Sequence, residues 1–142
     1  MGLVRSVKNK FISENRVMRE NVISFKIIGA ALKIHRTLGP GLLESVYEAA
    51  LIHDLTEMGL EVKSQVPMPF VYREVQQGVG YRLDLLVENL VVVEIKSISH
   101  LAPVHFAQTL TYLKLSNKKL GLLINFNKVY LRDGIHRIVN RL

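Results

Sequence analysis

From Val22 to Leu38 the apolar positions Ile27, Ile28, Ala31, Ile34 and Leu38 recur at helical spacing together with His35, behind an N-cap at Asn21. This pattern predicts a helix with one buried face and places His35 at the edge of the core. Gly39-Pro40-Gly41 stops it, because proline cannot continue a helix and glycine adopts dihedrals that other residues avoid. A second helix is expected from about Leu42 to Met58, closed by Gly59. From Glu61 the period changes to two, with Val62, Ser64, Val66 and Met68 alternating with Glu61, Lys63 and Gln65. That alternation reads as a strand ending near Pro67 and Pro69, with a hairpin extension over Phe70–Tyr72. Arg73 to Gly80, with Gln76, Gln77 and two glycines, reads as a turn or loop.

Two apolar runs follow, within Tyr81–Ser97, and then a helix from Pro103 to about Leu115, proline suiting its first turn. Leu120–Phe126 is a continuous apolar run of strand length, and Val129–Leu131 and Ile135–Val139 read as short closing strands. Helices flanking a run of strands predict an α/β architecture around a central mixed sheet. Residues 1–20 are polar and basic with weak periodicity, and form an arm that is either disordered or an extra helical turn. Residues 21–142 form the single domain.

Composition agrees with one domain: 142 residues that are 49% hydrophobic suffice for one well-buried core. Nineteen Lys and Arg against twelve Asp and Glu give a net charge of +7, which favours a polyanionic partner such as nucleic acid, although Lys and Arg also maintain solubility. The absence of cysteine excludes disulfides, thiolate metal sites and cysteine nucleophiles. No apolar run approaches the roughly 18 residues of a membrane span, and the beginning of the chain lacks the apolar core of a secretory signal. A cytoplasmic protein without a membrane partner is expected. Gly2 and Ser6 fit a short N-myristoylation pattern, which on its own carries little weight.

The informative anomaly is Asp84, Glu94 and Lys96, set among the Leu, Val and Ile of the 81–97 runs. Burying an unpaired carboxylate or ammonium is costly, so charges on core strands call for a partner or a cation. Strand alternation puts Val92, Glu94 and Lys96 on one face and Val91, Val93 and Ile95 on the other. Asp84 joins Glu94 if the connection through Glu88, Asn89 and Leu90 is a three-residue loop. A two-residue turn would oppose Asp84 to Val93 unless a bulge intervened. The three-residue loop or a bulge is expected. Two carboxylates on adjacent strands offer hard oxygen ligands for Mg²⁺ or Mn²⁺, hence phosphate chemistry, with Lys96 placed to orient water or steady the developing charge. The competing explanation is an acid–lysine ion pair at a sheet edge.

Glu44 falls in the first turn of the second helix, with Glu48 one turn on; the helix dipole alone would favour an acid there. Gln108 and Tyr112 are also one turn apart and could contact a nucleotide. The histidines at 35, 53, 100, 105 and 136 lack the paired spacing of zinc motifs, though His100 and His105 lie near Lys96 in sequence.

Together, GLLESVY at 41–47, RLDLLVEN, VVVEIKS, the Pro103 helix, LGLLINF and the LRDGI ending resemble the GxxExxY family, small proteins similar to the PD-(D/E)XK nucleases. The likeness covers residues 22–140. It implies a restriction-endonuclease-like αβββαβ core with the acidic hairpin at the centre of the sheet. It further implies metal-binding Asp84 and Glu94 with the Ile95 backbone carbonyl, a catalytic Lys96, and Glu44 as an additional carboxylate. Gln108 and Tyr112 match the Q-x-x-x-Y motif of RecB-like exonucleases. Leu83 stands where the superfamily name has proline. The expected function is a Mg²⁺- or Mn²⁺-dependent nuclease acting on DNA, alone, with a protein partner or as a homo-oligomer. The alternative is a non-catalytic nucleic-acid-binding or partner-binding module with the same fold.

Overall fold

The computed structural model describes the backbone of residues 2–142 and the side chains of 19–69, 72–74 and 80–142. The side chains of most of the basic arm, including the Gly2 and Ser6 pattern, lie outside the described residues. Helix α1 spans Gly2–Leu38, so the helix read over 22–38 is the second half of a longer one. Its buried stripe, Ile23, Ile27, Ala30, Ala31 and Ile34, faces the sheet. Gly39 and Gly41, at φ +73° and +91°, turn the chain into α2, Glu44–Glu57. Gly59 at φ +84° then lets Leu60 N–H reach back to Leu55 O, as expected of a glycine beyond a C-cap.

Five strands form one mixed sheet in chain order: β1 Val62–Tyr72, β2 Val75–Val87, β3 Val91–Lys96, β4 Leu120–Asn125 and β5 Ile135–Val139. All neighbours are antiparallel except β3 and β4, which are parallel and therefore need a crossover; α3, Pro103–Ser116, provides it. The segment from α2 to β4 is the expected αβββαβ core, with α1 added before it and β5 after it. Helices cover both faces. Val91, Val93 and Ile95 of β3 pack with α1 and α2, while Val92 packs with Leu113 of α3.

Two segments differ from the sequence reading. Residues 75–80 belong to β2 rather than to a loop, because Arg73 and Glu74 turn the chain in two residues, both at positive φ. Their glycines and glutamines mark a hairpin arm that extends beyond β3, not a break in the strand. Val129–Leu131 is not a strand either: a 3₁₀ turn at Leu131–Gly134 leads into β5. That turn lies so close to β4 that a Cβ on Gly134 would collide with the carbonyl oxygen of Asn125. His35, at the core edge as expected, anchors the same region through a 2.7 Å bond between Nε2 and Lys128 O.

Candidate active site

The β2–β3 connection is the three-residue loop Glu88–Leu90, and the ladder pairs Val87 with Val91, Leu86 with Val92 and Leu85 with Val93. One step further, this register sets Asp84 opposite Glu94. Regular pairing stops at that step. Asp84 N–H donates to Glu94 Oε1 at 3.3 Å, and Ile95 N–H donates to Asp84 Oδ2 at 2.8 Å, so side chains replace main-chain partners. The sheet opens on the other side of Asp84 too. The β1–β2 pairs run Ser64–Leu85 and then Val66–Leu83, skipping Gln65 and Asp84, and Gln65 takes φ +50°.

Packing records the same break. Leu85 and Val87 belong to the core beneath α1 and α2, whereas Leu83 belongs with Leu86 to the cluster beneath α3. Residues two apart in a regular strand share a face, so β2 changes phase at Asp84. On β1, Val62 packs with the first cluster and Val66 and Met68 with the second. The hairpin therefore rolls over at the Gln65–Asp84 step, and the acids occupy the gap.

Glu94 is 5% exposed. Burial, then the adjacent charge of Asp84, push its carboxyl up to about 9; a hydrogen bond between the two carboxyls adds to this, and an Asp84 main-chain bond and Lys96 oppose it only in part. Lys96, half-buried at the end of β3, forms no ion pair among the described residues, which removes the simple acid–lysine bridge as the reason for these charges. Asp84 fronts an open cleft of about 1050 Å³ whose walls include Leu42, Glu44, Glu48, Gln65 and Ser97. Glu94 lies behind it.

Glu44 reaches this cleft from the start of α2, with its Oε1 3.4 Å from Ser97 N. Gln65 Nε2 donates to both oxygens of Glu48, at 3.1 and 3.2 Å, and lies 3.5 Å from Asp84 Oδ1, tying the helix to the acid. Tyr112 is half-buried and stacks on Tyr81 at 4.4 Å; burial, then the charges of Glu94 and Asp84, raise its hydroxyl. Gln108 is exposed one turn earlier on α3. The fold thus gathers Asp84, Glu94 and Ile95 closely, brings Glu44 to the same cleft, sets Tyr112 within reach of the acids' charge, and leaves Gln108 at the surface.

Gln65, Ser97 and Asn125 were not singled out from the sequence. Buried Asn125 accepts from Ile98 N–H at 3.1 Å and Asn127 N–H at 3.2 Å, and donates to Ile98 O at 2.9 Å, fastening the chain just beyond Lys96. Only Gln65 offered a sequence signal, a polar residue opposite the acid, and every outward strand position offers the same. His105 accepts from Ala102 N–H at 2.9 Å as a cap of α3, and His53 pairs with Asp54 and Glu57 at the surface.

Residues 21–138 match the family model of the PD-(D/E)XK nuclease superfamily. The chain belongs to this superfamily. Among curated proteins and among solved structures nothing matches the chain. The three helices and five-stranded mixed sheet are the restriction-endonuclease-like fold, and membership points to nuclease-like activity on nucleic acid. PD-(D/E)XK nucleases generally use divalent metals. The donors here suit such an ion: two carboxyls held together, all hard oxygen, one of them pushed up by its burial and by the charge of the other. Among the described residues no three acids or histidines cluster tightly enough to hold a metal unaided. The Asp84–Glu94 pair would be completed by main-chain oxygen, water and substrate, as suits Mg²⁺. No helix of the described residues is long and apolar enough to cross a membrane.

Proposed function

We propose that this superfamily member is a Mg²⁺- or Mn²⁺-dependent phosphodiesterase that hydrolyses nucleic acid, DNA ahead of RNA. The observation that carries this reading is the Asp84–Glu94 pair, held together at the opening of the sheet with the charge of Lys96 only partly offsetting its own. Asp84, Glu94 and the carbonyl of Ile95 would hold the cation. When bound, the cation acidifies a water and offsets charge on the phosphate. Lys96 orients the attacking water and steadies the charge that grows on the phosphoryl oxygens. Glu44 adds a carboxylate from the opposite wall, and Tyr112 with Gln108 borders the nucleotide. Glu94 must release its proton to solvent before it can act as a ligand, so cation affinity rises with pH.

The test is incubation of the purified protein with linear, nicked and single-stranded DNA in Mg²⁺ or Mn²⁺. Cleavage that requires both the cation and Glu94 is the expected result; the absence of such cleavage on DNA and on RNA contradicts the reading.

A non-catalytic nucleic-acid-binding module is the second reading, and the distribution of charge favours it. Residues 2–38 carry eight Lys and Arg against two Glu, so α1 holds six of the seven net positive charges, whereas among the described residues no Lys or Arg lines the acidic cleft. Binding that weakens steeply with salt, without hydrolysis, would identify this case.

A further inference from the structure

Tyr47 ends the G-x-x-E-x-x-Y run, and its position accounts for the spacing. The ring is fully buried and stacks on Phe126, with centroids 4.3 Å apart and planes 10° from parallel. Burial of the ring alone would be served equally by phenylalanine. The hydroxyl, however, donates to Gly39 O at 2.6 Å and accepts from Leu42 N–H at 3.2 Å. These bonds bracket Pro40 and Gly41, where the chain has neither helical nor strand partners, and Leu43 supplies no side-chain cap to the helix that follows. A group three residues inside α2 therefore holds the entrance to its own helix.

The held loop grips the acidic hairpin. Leu42 O accepts from Ser97 Oγ at 2.6 Å, and Ser97 N–H lies 3.4 Å from Glu44 Oε1, next to Lys96 in the chain. We propose that Tyr47 is a positioning residue for Glu44: its hydroxyl fixes the 39–42 loop, which Ser97 clasps to the end of β3, and thereby sets the Glu44 carboxylate in the cleft. The inference rests on the reading of Glu44 as part of the active site. The glycine permits the turn, the glutamate faces the cleft, and the tyrosine, one helical turn further on, anchors both from beneath.

The test compares the full-length wild type with Tyr47→Phe, Glu44→Gln and the double variant, measuring kcat and KM for DNA cleavage in Mn²⁺ and Mn²⁺ affinity by calorimetry. Tyr47→Phe keeps the ring stack, so it should fold. Its kcat or its Mn²⁺ affinity should fall about 10- to 100-fold, the usual cost of removing a group that orients a site residue, with KM for DNA little changed. In the Glu44→Gln background the same substitution should add little, because it acts through Glu44. Hydrogen exchange should show lost protection at Leu42 N–H. Equal proportional losses in both backgrounds, or wild-type behaviour of Tyr47→Phe, overturn the inference. If Glu44→Gln is itself silent while Asp84→Ala abolishes cleavage, the nuclease reading stands and this inference falls. A wild type that neither cleaves nor binds Mn²⁺ removes both.

Discussion

Val91–Val93 and Glu94–Lys96 are consecutive halves of one six-residue strand, and they solve opposite problems. The first half is paired on both sides and fully buried in apolar contacts. The second half is equally central, but its β2 neighbour stops pairing, and main-chain amides turn to carboxylates instead. On β3, a central sheet position gives rigidity in both cases. On the proposed reading, what converts it to a site is the interruption at Gln65 and Asp84, which opens a gap while β4 still pairs along the other edge of β3.

The sharpest way to separate the halves is to break one residue on each side of the step. Asp84→Ala should abolish metal-dependent cleavage, a loss of about 10³-fold or more, and should lose Mn²⁺ binding while the fold survives. Leu85→Ala, its fully buried neighbour, should do the reverse: a stability loss of about 2–5 kcal/mol in denaturant titration, with turnover per folded molecule nearly unchanged. If the two substitutions have the same phenotype, the division is wrong.

Next in size is Lys96→Ala, expected to reduce turnover about 10²-fold or more while calorimetry still detects Mn²⁺, since on the proposed reading the lysine serves the reaction rather than the cation.

The pH dependence of the metal-free protein probes Glu94 directly. Its folded value of about 9 lies above the ordinary 4.5, so the folded state holds the proton more tightly than the unfolded chain. The resulting stabilisation is complete below about pH 4.5 and is lost as pH climbs through about 9. Melting temperature measured without metal should therefore fall over this window. Glu94→Gln, which keeps the shape without the proton, should flatten that decline, and saturating Mn²⁺ should reverse it; an unchanged slope in Glu94→Gln assigns the decline to other groups.

The smallest effect expected is that of Gln65→Ala. It removes the amide between Glu48 and Asp84 and should slow cleavage only a few-fold, because Ile95 N–H still holds Asp84. It also relieves no packing, so stability should change by less than about 1 kcal/mol.

The register of the acidic hairpin could be read from the sequence because it depends on local facts: the length of the 88–90 connection and the two-residue period of β3. The α/β class, the end of α1 and the bounds of α2 and α3 followed from periodicity, Gly-Pro-Gly and Pro103, whereas the start of α1 did not, because residues 2–20 show only weak periodicity. The long arm of β1 and β2 did not, because its turn uses Arg73 and Glu74 in a conformation that glycine or asparagine usually marks, while its glycines lie within the strand. Nor could Gln65, Ser97 and Asn125 be foreseen. Each acts through contacts with residues 17 to 55 positions away, which no local pattern encodes. Tyr47 was visible only as part of a motif, and its task emerged once Gly39, Leu42 and Ser97 were in place around it.

The central claim is that Asp84 and Glu94 form a cation site at the opening of the sheet. Anomalous diffraction from crystals soaked in Mn²⁺ at pH 8 or above tests it most directly. The predicted result is a peak in contact with both carboxylates and the Ile95 carbonyl, with Asp84 released from Ile95 N–H on at least one oxygen. A fully soaked crystal with no peak there, and with Glu94 still bonded to Asp84, would contradict it.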